Sequence, residues 1–469
     1  MKPACCLVAT TAVLAACTSL DPGYERPAAP VHDTYPSGAA YKDSGETGAR
    51  RAADIGWREF LRDERLVRLV DLALVNNRDL RVAALNVQQA QALYRVQRAT
   101  LFPSVSAFAG SSAVRTPLNA MPTAHSVSAG LDAAWELDFF GRLQSLSRSA
   151  LEQYLATAHA RDAVQILLVA QVADQYLTML AADEQVAVTR QTLAAVQASY
   201  DIVKLQFDTG TAGELTLRLA ESSVEQAQVN IAALTRARAQ AENALLLLIG
   251  QTAPADLPPV VPLSAQSILA DIPAGLPSDL LERRPDILEA EAQLRSQNAN
   301  IGAARAAFFP TINLTASLGT TSAELGGLFH AGSLAWSFVP ALTQPIFQGG
   351  ALSANLDLAT ARKDVAIAQY EKAVQTAFRE VADGLAARGT YDEQLAAQER
   401  YTATQRRRLA LAQFRYRNGV ESYLNVLTAQ TDLYNGQLSL VAAQLNRLTS
   451  RVDLYRALGG GWTAQETPS

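Results

Sequence analysis

The chain is written twice, and that repetition restricts its fold more than any other feature. Leu101-Phe102-Pro103 recurs as Phe308-Phe309-Pro310, and the same offset pairs Asp79 with Asp286, Arg98 with Arg305 and Phe140 with Phe347. Farther along, at an offset two residues longer, Asp183-Glu184-Gln185 matches Asp392-Glu393-Gln394, Gly210 matches Gly419 and Gly250 matches Gly459. Self-similarity of this length predicts two copies of one structural plan. The repeats are expected over residues 63–250 and 280–459. Between them, residues 251–279 carry Pro254, Pro258, Pro259, Pro262, Pro273 and Pro277 and read as a linker, and residues 460–469 are left as a tail.

Each repeat shows the same order of elements: helix, two strands, two helices. Val172, Met179, Val186, Leu193, Tyr200 and Phe207 stand seven apart. Leu217, Ala220, Val224, Ala227, Ile231 and Leu234 alternate spacings of three and four, as does the row from Leu424, Leu427, Thr431 and Tyr434 through Leu438, Val441, Leu445, Leu448, Val452 and Tyr455. These are seams of helices packed side by side. The second-repeat counterpart of the first row is weaker, because Arg388 and Thr402 fall on it. No proline interrupts residues 142–208 or 350–418, so each stretch is expected to be one helix about 100 Å long.

Directly after the Phe-Pro marks the period changes to two. Ile312, Leu314, Ala316 and Leu318 alternate with Thr311, Asn313, Thr315 and Ser317, and Val127, Ala129, Leu131, Ala133, Trp135 and Leu137 alternate with small or polar residues. Two further strands are expected from Ser104 towards Arg115 and from Leu334 to about Leu342, giving one hairpin per repeat. Alternation alone fits a soluble sandwich as well as a membrane barrel. The aromatic residues at strand ends (Phe102, Trp135, Phe139, Phe140, Phe308, Phe309, Trp336, Phe347) match the interface girdles of outer-membrane barrels.

The N-terminus favours the barrel. Met1-Lys2 precedes a short apolar run that ends in Leu14-Ala15-Ala16-Cys17, so residues 1–16 read as a secretory signal too short to span a bilayer. The Leu-Ala-Ala-Cys order resembles the bacterial lipobox. In such sites cleavage leaves Cys17 first, with an S-diacylglycerol on its thiol and an N-palmitoyl chain on its amine; the alternative is an ordinary signal with an incidental cysteine. At about 0.8 kcal/mol per buried methylene, three chains would make release negligible. Residues 17–62 are then a lipid-anchored extended segment, and Thr18 rather than Asp after the cysteine implies sorting to the outer membrane in the lipoproteins this resembles. Four strands cannot close a barrel, and open edges are not tolerated in lipid, so other copies must close them.

Several function classes drop out. With 40 basic against 45 acidic residues there is no footprint for nucleic acid. The cysteines are Cys5, Cys6 and Cys17, and His32, His125, His159 and His330 are scattered without ligand spacing, so no metal site and no cofactor beyond the covalent lipid are expected. There is no phosphate loop and no nucleophile elbow, which argues against an enzyme.

A set of blocks then carries a family resemblance: Tyr24-Glu25-Arg26-Pro27, Trp57-Arg58-Glu59-Phe60, Asn77-Arg78-Asp79-Leu80-Arg81, Arg284-Pro285-Asp286-Ile287, the run from Ala299 to Pro310, Glu380-Val381-Ala382-Asp383-Gly384-Leu385 and Ala457-Leu458-Gly459-Gly460-Gly461-Trp462. In this order they resemble the OprM-type outer-membrane lipoproteins of the TolC superfamily. The resemblance implies a mainly α fold with a membrane β-barrel, in which a homotrimer with four strands per protomer makes a 12-stranded barrel above a long α-helical periplasmic barrel. It also implies a passive drug-exit duct joined by a periplasmic adaptor (membrane fusion protein) to an inner-membrane pump of the resistance-nodulation-division (RND) class. Two other readings stay open: a duct for heavy-metal cations, and a non-channel coiled-coil lipoprotein bracing the envelope.

By the same resemblance the turns at Asp208-Thr209-Gly210 and Arg417-Asn418-Gly419 are the adaptor-contacting tips at the periplasmic entrance, and Leu424 sits at the family's apolar constriction. The chain departs from the pattern just beyond. TolC-like channels carry acidic residues at the places of Asn425 and Thr428, and OprM-like ones an Asp and an Arg at the places of Thr428 and Thr431. An acidic ring would bind cations; neutral Asn and Thr predict a weakly cation-selective or unlocked aperture. Glu421 is the nearby carboxylate, either part of the aperture or a plain helix-start Glu. The anchor is directly testable: cells fed labelled palmitate should label the wild-type chain and leave Cys17→Ser unlabelled, whereas labelling of both would remove the anchor.

Overall fold

In a computed structural model, the described residues are 19–41, 52–115, 123–269, 272 and 277–461. The signal at 1–16, the lipid site Cys17 and residues 462–469 of the tail lie outside them. The helices are α1 (Trp57–Phe60), α2 (Glu64–Asn76), α3 (Arg78–Ala99), α4 (Arg142–Asp208), α5 (Glu214–Ile249), α6 (Pro277–Arg283), α7 (Pro285–Ala306), α8 (Ala351–Arg417) and α9 (Tyr423–Ala457). The strands are β1 (Ser104–Val114), β2 (Ala124–Leu137), β3 (Thr311–Ser322) and β4 (Leu334–Thr343). Two compact units result, each drawn from both repeats. One holds the described residues of Met1–Ala29, Leu85–His159 and Leu288–Lys372; the other holds those of Pro30–Ala84, Ala160–Ile287 and Ala373–Ser469.

The first unit contains the sheet. The two hairpins join through β2 and β3 into one antiparallel meander in the order β1-β2-β3-β4. Its register sorts the side chains. Val105, Ala107 and Ala109 align with Ala133, Leu131 and Ala129. Leu131, Trp135 and Leu137 align with Leu318, Leu314 and Ile312. Leu318, Ala316 and Ile312 align with Trp336, Phe338 and Leu342. All of these share one face. The other face carries Ser106, Ser128, Asp132, Glu136, Asn313, Thr315, Ser317 and Ser337, with Ser317 and Ser337 hydroxyls 2.7 Å apart. On this polar face Gly130 sits opposite Gly319, and a Cβ on Gly130 would stand 2.7 Å from Gly319 Cα. The pair lets the two backbones approach closely. The apolar face is bare, with Val105, Leu131, Leu318, Trp336 and Leu342 all exposed.

The N-terminal segment is strapped to this unit. Glu291 of α7, 3% exposed at its side chain, accepts hydrogen bonds from Tyr24 Oη (3.0 Å), Arg26 Nε (3.0 Å) and Nη2 (2.9 Å) and Arg295 Nη2 (2.7 Å). Burial opposes its ionisation, but the bonds from Arg26 and Tyr24 and the Arg295 charge hold its carboxyl below the ordinary range. The same burial, with Glu291, pushes the Tyr24 phenol up to about 12. Asp21 pairs with Arg148 and accepts from Ser145 Oγ at 2.6 Å. Ser19 Cα lies 3.0 Å from where a Cβ of Gly141 would be, at the step from β2 into α4.

The second unit is helical. Asp63 caps α2 through the N–H groups of Arg65 and Leu66 and accepts from Tyr176 Oη (3.1 Å) and Gln266 Nε2 (2.6 Å). Asn77 donates to Leu248 O (2.8 Å), and Gly250, φ 75°, ends α5 so close to Asn76 that a Cβ there would meet its carbonyl oxygen at 2.4 Å. Gly384 is tolerated within α8 because a Cβ there would stand 3.0 Å from Leu454 Cδ1 of α9. Arg284, 7% exposed at its side chain, is saturated by Asp286, Glu380 and Ala457 O. Asp174 of α4 is less well matched: its Oδ1 is enclosed without a partner. Burial first and Asp453 second push its carboxyl up to about 7, partly offset by Arg456. A carboxyl raised in this way favours folding only while protonated, so stability is lost as pH rises from about 4 through about 7. Asp174→Asn is expected to gain about 2–4 kcal/mol in denaturant unfolding at pH 8 and nothing near pH 4; an equal gain at both pH values would assign the effect to something other than this charge.

Candidate functional site at the helical tips

The two long hairpins turn in the same way. Gly210, φ 74°, donates to Phe207 O (2.9 Å) and Thr211 N–H reaches back to Gln206 O (2.7 Å). Gly419, φ 72°, donates to Tyr416 O (2.9 Å) and Val420 N–H to Arg415 O (3.0 Å). Both are left-handed glycine endings that satisfy the last helical carbonyls. Nothing lies within 4 Å of a Cβ at either glycine, so glycine is needed here for its dihedral and not for space. Asp208, Thr209, Gly210, Arg417, Asn418 and Gly419 are all exposed. Thr209 Oγ1 and Asn418 Nδ2 turn back onto their own helix ends, to Leu205 O (2.9 Å) and Phe414 O (2.7 Å).

Behind the turns the helices share a core of Val203, Ala220, Tyr423 and Val426, flanked by Tyr200, Leu217, Leu409 and Tyr416. Val196, Val224 and Ala227 continue it. The three–four row of α5 packs on α4 as expected, but on α4 the buried residues are Val196 and Val203, with Leu193 and Tyr200 of the seven-spaced row flanking them and Phe207 exposed. Tyr416 and Tyr423 rings lie 5.5 Å apart, and Tyr416 Oη donates to Gln206 Oε1 at 2.9 Å, tying α8 to α4.

On α9 the expected seam needs correction near the tip. Leu424 and Thr431 are exposed, while Tyr423, Val426, Ala429 and Gln430 are buried. The three–four row becomes the buried one only farther along, at Val441, Leu448, Val452 and Tyr455. At the tip the aromatic and branched residues one position before and two after Leu424 supply the core, so Leu424 is turned outward. Leu424, Thr428, Thr431 and Asn435 form one exposed stripe, with Asn425 beside it. Thr428 Oγ1 is satisfied within the helix by Leu424 O at 2.9 Å.

Glu421 is not a free carboxylate. It accepts from Asn425 Nδ2 and from Arg415 Nε (3.1 Å), and these two bonds, in that order, hold it below the ordinary range. A second bridge spans the same hairpin, Arg408 Nη1 to Asp432 Oδ2 at 2.5 Å. Sequence reasoning missed Arg408, Arg415 and Asp432. The basic run Arg406-Arg407-Arg408 was visible, but pairing across a hairpin depends on where the helices cross. Next to Thr431, α4, α5 and α9 enclose a groove of about 500 Å³ lined by uncharged residues, among them Thr189, Gln226, Asn230, Gln430 and Tyr434. Among the described residues no group of His, Cys, Asp and Glu is placed to hold a metal ion.

The one direct hydrogen bond from Tyr416 to Gln206 yields a prediction. Its net value is about 1 kcal/mol, so Tyr416→Phe is expected to lower stability by about that amount, a roughly fivefold change in the folding equilibrium. Denaturant unfolding measures this, and an unchanged midpoint would show that the bond contributes nothing net.

Comparisons with known proteins give concordant matches along the chain. A family model described as Outer membrane efflux protein matches residues 69–251 and 276–460. The solvent efflux pump outer membrane protein SrpC of Pseudomonas putida is 49% identical over 453 residues, 96% of each chain. The antibiotic efflux pump outer membrane protein ArpC of the same species is 46% identical over 465 residues, 98% of this chain and 96% of its own. The open-state crystal structure of the Neisseria gonorrhoeae MtrE outer membrane channel superposes with a TM-score of 0.86 at 39% identity, covering 95% of this chain and 99% of that one.

Proposed function

This chain belongs to the outer membrane efflux protein family, and from that premise we propose that it is the exit duct of a tripartite pump, carrying small toxic compounds passively across the periplasm and the outer membrane. The observation that carries the reading is the sheet: one bare apolar face, one polar face and two unpaired edges. Lipid tolerates no unpaired backbone edge, and membrane barrels begin at about eight strands. Three copies supply twelve strands, with the Ser, Thr and Asn face turned to a bore wide enough to conduct.

The two 67-residue helices, each about 100 Å long, supply the periplasmic length. Their exposed tips, Asp208 to Gly210 and Arg417 to Gly419, are the contacts for a periplasmic adaptor, which joins the duct to an inner-membrane pump of the RND class. The chain itself carries out no chemistry. Cys17 lies outside the described residues; acylated with diacylglycerol and palmitate, it would anchor the chain in the outer membrane. The relatives' names point to solvents and antibiotics as cargo. Family membership removes the bracing-lipoprotein alternative, and no observation favours metal cations over organic compounds.

Deleting the gene in a strain without a redundant homologue should raise susceptibility to dyes, detergents and several antibiotics; unchanged susceptibility would overturn the drug-efflux reading. The aperture gives a sharper expectation. Leu424, Asn425, Thr428 and Thr431 present no free charge, and Glu421 and Asp432 are already paired with Arg415 and Arg408. Millimolar divalent cations are therefore expected to block single-channel current weakly, and Thr428→Asp, which restores a ring of three carboxylates, to block strongly. Strong block of the wild type would disprove a neutral aperture.

A further inference from the structure

The loop joining β3 to β4, residues 323–333, has no part in the duct as described, yet it is folded. Leu325–Gly327 make one turn of 3-10 helix, and Leu328 N–H bonds Leu325 O at 3.3 Å. Thr321 N–H takes Ser333 O at 2.8 Å, carrying the ladder past the strand. Leu328 is 5% exposed, whereas Leu325 and Phe329 are 73% and 83% exposed. Two large apolar side chains are thus held outward by an ordered loop.

The direction in which they are held can be read from Ser322. Ser322 lies opposite Val127, so its side chain belongs to the apolar face of the sheet. The loop packs on that hydroxyl: a Cβ on Gly327 would stand 2.4 Å from Ser322 Oγ, and Glu324 N–H donates to the same oxygen at 3.4 Å. On the same face two residues earlier, Thr320 Oγ1 is sealed from solvent. The loop therefore bends over the apolar side of the sheet and away from the Ser, Thr and Asn side that would line the bore. Leu334 and Trp336, which follow it, continue the bare apolar surface at 70% and 73% exposure. Glu324 and His330 are exposed at its two ends.

We infer that this loop is a lipid-dipping element: Leu325 and Phe329 enter the acyl-chain border of the outer leaflet while Glu324 and His330 stay at headgroup level. The inference rests on the outer-membrane duct reading, which makes the apolar face lipid-facing and puts the strand ends remote from α4, α7 and α8 outside the cell. Such an element lengthens the apolar belt at the top of each β3-β4 hairpin and fixes the height of the barrel in the membrane.

Spin labels on the full-length protein in phosphatidylcholine vesicles test it, with collision by oxygen, which concentrates in acyl chains, set against collision by a water-soluble nickel chelate. Cysteine is introduced singly at Phe329, at Leu325, at Leu318 as the lipid-face reference and at Ser317 as the bore-face reference. Labels at 329 and 325 are expected to favour oxygen, as the label at 318 does, and opposite to the label at 317. If 318 favours oxygen while 329 and 325 favour nickel, the loop stands in water and the inference is overturned with the duct reading intact. If 318 itself favours nickel, the lipid-facing assignment of the sheet fails and the inference falls with it.

Discussion

Everything in this molecule follows from a sheet that cannot be complete by itself. A strand edge in hydrocarbon leaves each backbone N–H and C=O without water or partner, at several kcal/mol per group. β1 and β4 are both such edges. The sheet also presents one face on which Val105, Leu131, Leu318, Trp336 and Leu342 stand bare, a surface no stable water-soluble monomer leaves uncovered. Closure with other copies removes the first cost and lipid removes the second. The glycine pair at Gly130 and Gly319 belongs to the same solution, because a sheet that closes must curl towards its polar face, and side chains there would collide with the facing backbone.

The duplication makes that solution compatible with the helices. Each strand pair is followed by a proline-free helix of 67 residues and a return helix of about half that length, so every hairpin of the sheet has one long helical hairpin below it in sequence. Neither compact unit is a repeat; each is assembled from both. Within each unit polar ties cross from one repeat to the other: Thr189 to Tyr434 and Gln206 to Tyr416 in the helical unit, Ser149 to Ser296 in the unit that holds the sheet. All are at least partly buried, where an unmatched partner costs more than the bond contributes.

Much of this was legible in the chain. Helix ends at Asp208 and Arg417 follow from the absence of proline and the glycines two residues on, and the strands follow from period two with small polar residues between apolar ones. What was not legible depends on relations across elements. The joining of β2 to β3 is a long-range pairing that local pattern does not encode. The rotation of α9 at its tip escaped because Leu424, Leu427 and Thr431 keep a perfect three–four spacing while Tyr423 and Val426 bury more surface, so spacing gave the period and the larger side chains gave the phase. Likewise Glu421 looked free because its partner Arg415 lies on the preceding helix, and Asp432 went unremarked because its pairing with Arg408 depends on the same crossing. The proposed lipid at Cys17 rests on the sequence, since that residue lies outside the described part.

On the proposed duct reading, the tips would close without a ring of charge. Beside the exposed stripe of Leu424, Asn425, Thr428 and Thr431, Glu421 and Asp432 are paired with Arg415 and Arg408 inside their own hairpin, so these two carboxylates leave little net field to hold or repel ions. What remains to keep the tips together is packing of Tyr423 and Val426 against Val203 and Ala220, and the Tyr416–Gln206 bond. Apolar packing of a few side chains contributes on the order of several kcal/mol and is insensitive to salt and to pH near neutrality, unlike an ionic latch. A closure of this kind is released by a partner that offers the same apolar surface better packing, through differential affinity for the spread arrangement. The exposed Leu205, Leu215, Phe414 and Val420 beside the tips are side chains such a partner can bury. On the proposed duct reading, opening is set by contact with the adaptor and not by the ionic conditions of the periplasm, and selection of cargo is left to the pump.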